Sequence, residues 1–233
     1  MIASTCAKSR TAQPLKVSFG VMMLDEFTQF SFSQFGEDLL IKVLFYYKAD
    51  PGFYVDIGAH HPRKYSNTHL LRHRGWRGIN VDGDRNLIAV FEQERPDDIN
   101  LVAFVSDRVE EVTFHRFTES AVNTISDIQA AEYARHWSEA STETVTTRTL
   151  KEILDTHLPR GQFIDLLSID VEGVDLKVLT GNDWARYRPQ AVVVEAEGLD
   201  LSRPQSDPIV QYMNSVGYRL CGFIHVSAFF VPS

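Results

Sequence analysis

Short apolar segments alternate with helical segments over residues 53–105, and this alternation restricts the fold more than any other feature of the sequence. We predict strands at residues 53–58, 76–82 and 99–105, separated by helices at residues 66–74 and 86–94. The strands are rich in β-branched and aromatic residues, whereas the apolar residues between them recur at helical spacing. Strands joined by helices in this way form a parallel sheet with right-handed crossovers.

The alternation resumes after an interruption. We predict further strands at residues 163–170 and 189–197, and two extended runs at residues 218–231 that pair antiparallel at one edge of the sheet. Helix starts are predicted at the capping box of Thr149 with Glu152 and at Asp207-Pro208, and residues 66–68 are predicted to cap the helix that follows them. Residues 108–148 break the pattern with an exposed-strand alternation, a loop and a Thr-rich run. We interpret this segment as an insertion packed over the edge where parallel sheets bind ligands.

Length and composition suit one α/β domain. The chain has 233 residues, 44% of them hydrophobic, which is enough for a single substantial core. Residues 1–30 show no sustained period, so we predict an N-terminal arm followed by one domain at residues 31–233 with the insertion at 108–148.

Charge and cysteine content exclude several classes of function. The formal net charge of −8 argues against a nucleic-acid partner, which requires a basic surface. No run of about 18 apolar residues is present, so we predict no membrane span, and the short apolar run at 17–24 indicates no cleaved signal peptide. Cys6 in the arm and Cys221 in a strand that we predict to be buried form neither a disulfide pattern nor a zinc pattern, which predicts a reducing, cytoplasmic location.

The first predicted strand ends in Asp56-Ile57-Gly58, which is the position of a ligand site in a parallel sheet. Gly58 permits a sharp turn and close approach of the backbone to a ligand, and Asp56 adds a carboxylate. Asp82 ends the second strand about 25 residues later, where a carboxylate accepts both hydroxyls of a ribose. The alternatives are structural: Asp56 caps the next turn, and Asp82 begins the turn Asp82-Gly83-Asp84.

The segment after Gly58 argues against a dinucleotide. Only the first glycine of Gly-x-Gly-x-x-Gly is present, Pro62 removes an amide, and Asp56 would repel a pyrophosphate. A cofactor with a ribose, an adenine and a cationic amino-acid end fits better, and S-adenosylmethionine has all three. We predict the cationic end near Asp56, the carboxylate near Asn67 and the adenine beside residues 102–107. The predicted cofactor-binding residues are Asp56, Gly58, Ala59, Asn67, Asp82, Ser106 and Asp170.

A set of motifs, in this order, resembles the FkbM-type methyltransferases over roughly residues 31–232. They are Ser33-Gln34-Phe35-Gly36-Glu37-Asp38, Tyr54-Val55-Asp56-Ile57-Gly58-Ala59, Ser66-Asn67-Thr68, Gly75-Trp76-x-Gly78, and Ile169-Asp170-Val171-Glu172-Gly173 with Leu179 and Gly181. The resemblance implies an α/β class I methyltransferase (Rossmann-like) fold with a mostly parallel seven-stranded sheet, an antiparallel last strand and helices on both faces. It also implies methyl transfer from S-adenosylmethionine, usually to a hydroxyl of a sugar or secondary metabolite. This chain departs from the family at one point, since relatives often have Glu-Pro or Asp-Pro where it has Asp82-Gly83. The proline is replaced, but the carboxylate is retained.

Methyl transfer to a hydroxyl requires alignment of donor and acceptor and removal of a proton. Asp170 and Glu195 end neighbouring predicted strands, so one is predicted to be a general base that the other orients, or both to hold a Mg²⁺ ion. Glu172 and His60 are further catalytic candidates. For Glu172 the alternative is a carboxylate that stabilises a helix N-terminus, and for Glu195 a solvated strand end.

Two other functions remain open from the sequence. A metal-dependent hydrolase or nuclease would use Asp56, Asp170 and Glu172 as ligands, and a catalytically idle module would only bind a nucleotide or a partner. The predicted acceptor is a small molecule or glycan, for which three residues of the insertion are candidates: Tyr133, His136 and Trp137. The histidines near the predicted strand ends, His60, His61 and His225, lack the His-x-x-x-His spacing of a helical metal site.

Overall fold

The computed structural model describes residues 27–233, and residues 1–26, including Cys6 and most of the predicted arm, lie outside the described part. Residues Ser31–Ser233 form one compact unit. Its strands are β1 (Phe53–Ile57), β2 (Arg77–Asp82), β3 (Ile99–Val102), β4 (Phe104–Ser106), β5 (Glu111–Phe117), β6 (Glu139–Thr149), β7 (Leu166–Ile169), β8 (Ala191–Glu195), β9 (Tyr218–Ile224) and β10 (Ser227–Pro232). Its α-helices are α1 (Glu37–Leu44), α2 (His69–His73), α3 (Arg85–Glu94), α4 (Asp127–Tyr133), α5 (Leu150–His157), α6 (Asp175–Thr180) and α7 (Pro208–Ser215).

Seven strands form the main sheet, in the order β3-β2-β1-β7-β8-β10-β9. The pairs β2–β3, β1–β2, β1–β7 and β7–β8 are parallel, and β10 is antiparallel to both β8 and β9. The predicted fold class is therefore confirmed, including the antiparallel last strand. Strand order reverses between β1 and β7, so the carboxyl ends of these two strands border the crevice in which such sheets bind ligands.

Helices cover both faces of this sheet, because successive side chains of a strand point to opposite sides. In β1, Val55 and Ile57 belong to a core that includes residues of α5, α6 and α7, whereas Tyr54 packs with Ile41 of α1 and Leu71 of α2. The central strands are buried on both sides, as expected of a parallel sheet.

The predicted third strand is divided in the structure. Residues 99–102 pair with β2, but Phe104–Ser106 leave the main sheet and pair with β6. β4, β6 and β5 form a separate three-stranded sheet, and β5 and β6 are its antiparallel pair. The segment that we interpreted as an insertion therefore contains a β-hairpin and α4, anchored to the main fold through β4.

Several predicted helix starts are confirmed and some local predictions are wrong. Asp207 caps α7 ahead of Pro208, and Thr149 forms the predicted capping box of α5 with Glu152. Thr68 precedes α2 but makes no side-chain cap, since its hydroxyl donates to Asp56 instead. Cys221 lies in β9 as predicted, yet it is exposed because β9 is an edge strand. Within residues 27–233, every helix is too short or too polar to cross a membrane.

Candidate active site

A cleft opens at the carboxyl ends of β1 and β7, where the strand order reverses. The cleft is open to solvent, and its empty space, including the part continuous with solvent, is about 570 Å³. The main sheet contributes one wall, and β4, β5 and the loop that follows β5 contribute the other. Residues that line it include Gly58, His60, Asp82, Gly83, Phe104, Phe114, Ser120, Thr124, Asp170 and Glu172.

Gly58 forms the floor of the cleft. Its φ of +77° lies in the left-handed region, and its amide donates to the carbonyl of Val81 at 2.9 Å. A Cβ atom at this position would lie 1.7 Å from the carbonyl oxygen of Asp170. Glycine is therefore required both by the backbone angle and by the close approach of the segment after β7.

We expect Gly58→Ala to destabilise the fold by at least roughly 3 kcal/mol, since the left-handed angle and the collision both add to the cost. Gly161→Ala is the matched control, because Gly161 has a φ of +75° but open space around its Cβ position. That control is expected to lose only roughly 1–2 kcal/mol. Urea unfolding measures both, and equal losses would show that the contact with Asp170 relaxes at little cost.

Asp82 is held at the end of β2 by backbone amides. Its Oδ2 accepts from the amide of His60 at 2.9 Å, and its Oδ1 accepts from the amide of Asp84 at 2.7 Å. Burial raises the pKa of Asp82 to about 6, although these two hydrogen bonds oppose the shift. The carboxylate is thus fixed in orientation and faces the cleft between the β1 and β2 turns.

Asp56 lies on the opposite side of β1 from the aliphatic core and belongs to a buried polar network. It accepts from the hydroxyl of Thr68 at 2.9 Å, and burial raises the pKa of Asp56. The guanidinium of Arg95, 2% exposed, donates to Thr68 at 2.9 Å and also to the carbonyl of Pro62. This network fixes the segment between β1 and α2, which forms one rim of the cleft.

Carboxylates gather at the ends of β7 and β8. Ligand oxygens of Asp170, Asp175 and Glu195 lie within 4.8 Å of one another. Asp170 is exposed to the cleft, yet loss of hydration among the surrounding groups raises its pKa well above the usual range, and the charges of Glu172 and Asp175 raise it further. Burial, followed by the charges of Asp170 and Asp175, raises the pKa of Glu195 to about 10. Asp175 accepts from the amides of Val171 and Gly173, so its carboxylate also shapes the turn after β7.

Glu172 extends from that turn into the cleft. Its φ is +55°, a left-handed angle that is uncommon for a residue with a side chain, and Thr124 donates to its carbonyl at 2.7 Å. The hydroxyl of Tyr133 donates to Glu172 Oε2. Burial raises the pKa of Glu172 to about 7, and the hydrogen bond from Tyr133 limits the rise. The result is a carboxyl group that titrates near neutral pH.

The structure brings five of the predicted site residues to the cleft surface: Gly58, His60, Asp82, Asp170 and Glu172. Glu195 lies beside Asp170 but does not line the cleft. The other predicted residues have different surroundings: Asp56 contacts Thr68, Asn67 donates to Ser168 at 3.3 Å, Ala59 packs on Ile88 and Phe91 of α3, and Ser106 is buried against Asp107.

Sequence reasoning missed Arg95, Asp175, Phe104 and Ser120. Arg95 precedes Pro96 and therefore looked like an ordinary helix end. Phe104 was assigned to the continuous third strand, and its place in the cleft depends on the break after Val102. For Asp175 the signal was present, since an acidic residue two positions after Gly173 can cap the turn.

The sheet order, the antiparallel last strand and an acidic β2 end beside a cleft define the class as a Rossmann-like methyltransferase domain. The sequence profile of the Methyltransferase FkbM domain matches residues 56–220. The chain therefore belongs to the FkbM methyltransferase family, which confirms the resemblance of its motifs. The methyltransferases of this family use S-adenosylmethionine. No curated protein matches the chain.

Solved structures that resemble the chain are remote in sequence. Methyltransferase FkbM from Methylobacillus flagellatus KT is 13% identical with a TM-score of 0.47, over 77% of this chain and 43% of that one. A TehB-like SAM-dependent methyltransferase from Corynebacterium glutamicum ATCC 13032 Kitasato is 13% identical with a TM-score of 0.44, over 85% and 88%. Monomeric WbdD is 16% identical with a TM-score of 0.43, over 84% and 40%. The chain thus spans less than half the length of the first and third of these proteins.

Proposed function

We propose that the protein transfers a methyl group from S-adenosylmethionine to a hydroxyl of a small molecule, a sugar or secondary metabolite. The observation that carries this proposal is the position of Glu172, which lines the cleft and accepts a hydrogen bond from the hydroxyl of Tyr133. Burial raises the pKa of Glu172 to about 7, which is consistent with this role. Bound S-adenosylmethionine supplies a methyl group on a positively charged sulfur, and the protein must align the acceptor and take its proton.

The cleft has the chemical groups that this cofactor needs. Each carboxylate oxygen of Asp82 accepts a hydrogen bond from one backbone amide and keeps a second lone pair. The two free lone pairs can accept hydrogen bonds from the two ribose hydroxyls. Phe104 and Phe114 offer aromatic surface beside Gly83 for a flat base. The carboxylates of Asp170 and Asp175 provide negative charge, which would stabilise the positively charged sulfonium and ammonium groups of the cofactor.

Glu172 is our candidate general base. Its pKa of about 7 leaves a useful fraction ionised at neutral pH, whereas Glu195, with a pKa of about 10, holds its proton. Two carboxyl groups whose pKa values are pushed apart divide naturally into a base and a hydrogen-bond donor. We propose that Asp170 contacts the cationic end of the cofactor. Glu195, which holds its proton, would act as a hydrogen-bond donor beside Asp170.

His60 is our candidate for orienting the acceptor hydroxyl. Its Nε2 lies 3.1 Å from the hydroxyl of Ser120, which also lines the cleft, whereas its Nδ1 is buried and has no hydrogen-bond partner among the described residues. Burial lowers the pKa of His60, so the ring is neutral at pH 7 and offers both a donor and an acceptor.

A Mg²⁺ ion at Asp170 and Glu195 is the second candidate for activating the hydroxyl. The short separation of their oxygens and of Asp175 favours it, and carboxylate oxygen is the ligand that Mg²⁺ prefers. We expect dialysis against EDTA to leave methyl transfer unchanged if Glu172 acts as the base. Loss of turnover that Mg²⁺ alone restores would instead assign Asp170 and Glu195 to the ion.

The hydrolase alternative has less support. It needs Asp56, Asp170 and Glu172 around one ion, but among residues 27–233 the only trio of such ligand atoms within 4.8 Å is Asp170, Asp175 and Glu195. The idle-module alternative leaves the Glu172–Tyr133 pair without a role.

We further propose that residues 31–233 act as one methyltransferase domain and that residues 108–148 contact the acceptor. We also propose that the protein works in the cytoplasm and has no nucleic-acid partner.

The test is incubation with S-adenosylmethionine that carries a trideuterated methyl group and a panel of sugars, nucleotide sugars, polyols and phenols. Mass spectrometry is expected to find the labelled methyl group on an oxygen of at least one acceptor, and calorimetry to find binding of the cofactor. The Glu172→Gln variant is the negative control, in which we expect much slower labelling of the same acceptor. Labelling on nitrogen or carbon, or no cofactor binding, would overturn the proposal.

A further inference from the structure

Two histidines of α2 face each other outside the cleft. His69 and His73 are four residues apart and therefore lie on one side of the helix. Their Nε2 atoms are 3.0 Å apart. His69 is half-buried and His73 is exposed, so the pair is open to solvent from one side.

We propose that His69 and His73 form a binding site for a divalent transition-metal ion of the Zn²⁺, Ni²⁺ or Cu²⁺ type, completed by water. With metal–nitrogen bonds of about 2.0–2.1 Å, two ligands at one ion lie about 2.9 Å apart at a right angle and about 3.4 Å apart at a tetrahedral angle. The observed 3.0 Å falls in this interval. Imidazole nitrogen suits these ions and does not suit Mg²⁺ or Ca²⁺.

The second nitrogen of His69 is already held. Its Nδ1 lies 2.9 Å from the carbonyl oxygen of Pro62, which is a hydrogen-bond acceptor only. Nδ1 therefore carries the proton and Nε2 presents its lone pair, the arrangement in which metal-bound histidines are oriented by an outer carbonyl. The ring of Phe32 lies 4.2 Å from that of His69, centroid to centroid, and limits its rotation.

Nearby positive charge is offset in part. Arg63 pairs with Glu94 at 2.7 Å, and Arg72 pairs with Asp97 at 3.2 Å. With two protein ligands, the site is expected to bind more weakly than a closed four-ligand zinc site, and Cu²⁺ is expected to bind more tightly than Ni²⁺ or Zn²⁺.

An ion at this pair would brace the rim of the cleft. The carbonyl that orients His69 also accepts from Arg95, whose guanidinium holds the segment between β1 and α2. Binding to the folded chain alone raises its stability by mass action. The site does not depend on methyl transfer, so it stands or falls separately from the proposed function.

Thermal unfolding of the full chain without an affinity tag tests the site, in a Cys6→Ser, Cys221→Ser background that removes competing thiols. We expect Ni²⁺ at about 100 times its Kd to raise the Tm by about 5–10 °C, and Mg²⁺ to have no effect. His73→Ala should abolish the rise without lowering the metal-free Tm, because His73 is exposed. His157→Ala, at the end of α5, is the matched control and should keep it.

Electron paramagnetic resonance of bound Cu²⁺ gives an independent result. We expect a signal with two nitrogen ligands in the unmodified chain and in His157→Ala, reduced to one or none in His73→Ala. An equal Tm rise in His73→Ala, or a Cu²⁺ signal without two nitrogens, would overturn the proposal.

Discussion

Asp82→Ala is expected to weaken binding of S-adenosylmethionine by about 100-fold or more. Two hydrogen bonds from ribose hydroxyls to a carboxylate contribute about 1.5–3 kcal/mol each, and each 1.4 kcal/mol corresponds to a factor of about ten. Asp82 also receives the amides of His60 and Asp84, so alanine additionally releases the two turns that frame the cleft. Isothermal titration calorimetry measures the change directly.

Asp84→Asn is the control for this experiment. Asp84 is adjacent and caps α3, a role that asparagine fills equally well, and the change removes its ion pair with Arg116 at 2.7 Å. We expect nearly unchanged affinity in this variant. Unchanged affinity in a folded Asp82→Ala variant would remove Asp82 from the cofactor site.

Glu172→Gln is expected to lower kcat by about 10²–10⁴-fold while leaving the affinity for S-adenosylmethionine within a few-fold, because general-base catalysis contributes at this level. Glutamine keeps the size of the side chain and accepts the hydrogen bond from Tyr133, so the fold is expected to persist. Single-turnover rates with an identified acceptor provide the measurement, and full turnover in this variant would exclude Glu172 as the base.

Tyr133→Phe separates the role of Glu172 from a merely structural one. The hydroxyl of Tyr133 lowers the pKa of Glu172, so its removal should raise that pKa further above the present value of about 7. Activity that depends on ionised Glu172 rises with pH through this pKa, and the rising limb of the pH–rate profile should move to higher pH in the variant. A profile that keeps its position would indicate that another group is the base.

Much of the fold follows from local sequence patterns. The alternation of strands and helices predicted the parallel sheet, and turn chemistry such as Asp207-Pro208 and Thr149 with Glu152 predicted helix starts. These predictions succeed because hydrophobic period and capping act within a few residues. The division of the third strand after Val102 was missed, because both halves are apolar and only their different pairing partners distinguish them.

The candidate site depends more heavily on long-range contacts. Asp56 and Gly58 are two residues apart, yet Gly58 lines the cleft while Asp56 joins the Arg95 network on the other side of β1. Alternation of side chains along a strand would place residues 56 and 58 on the same face of the sheet. Gly58, however, follows the last residue of β1, and the turn at that point determines its direction. Sequence spacing cannot supply that direction.

The sequence by itself determined the order of elements, the acidic strand ends and the identity of the groups available for chemistry. Only the tertiary structure decided which groups meet: Glu172 with Tyr133, 39 residues apart, and His69 with the carbonyl of Pro62. The reason is physical. Residue types and local periods are properties of short segments, whereas burial, charge proximity and pKa arise from segments that the fold brings together.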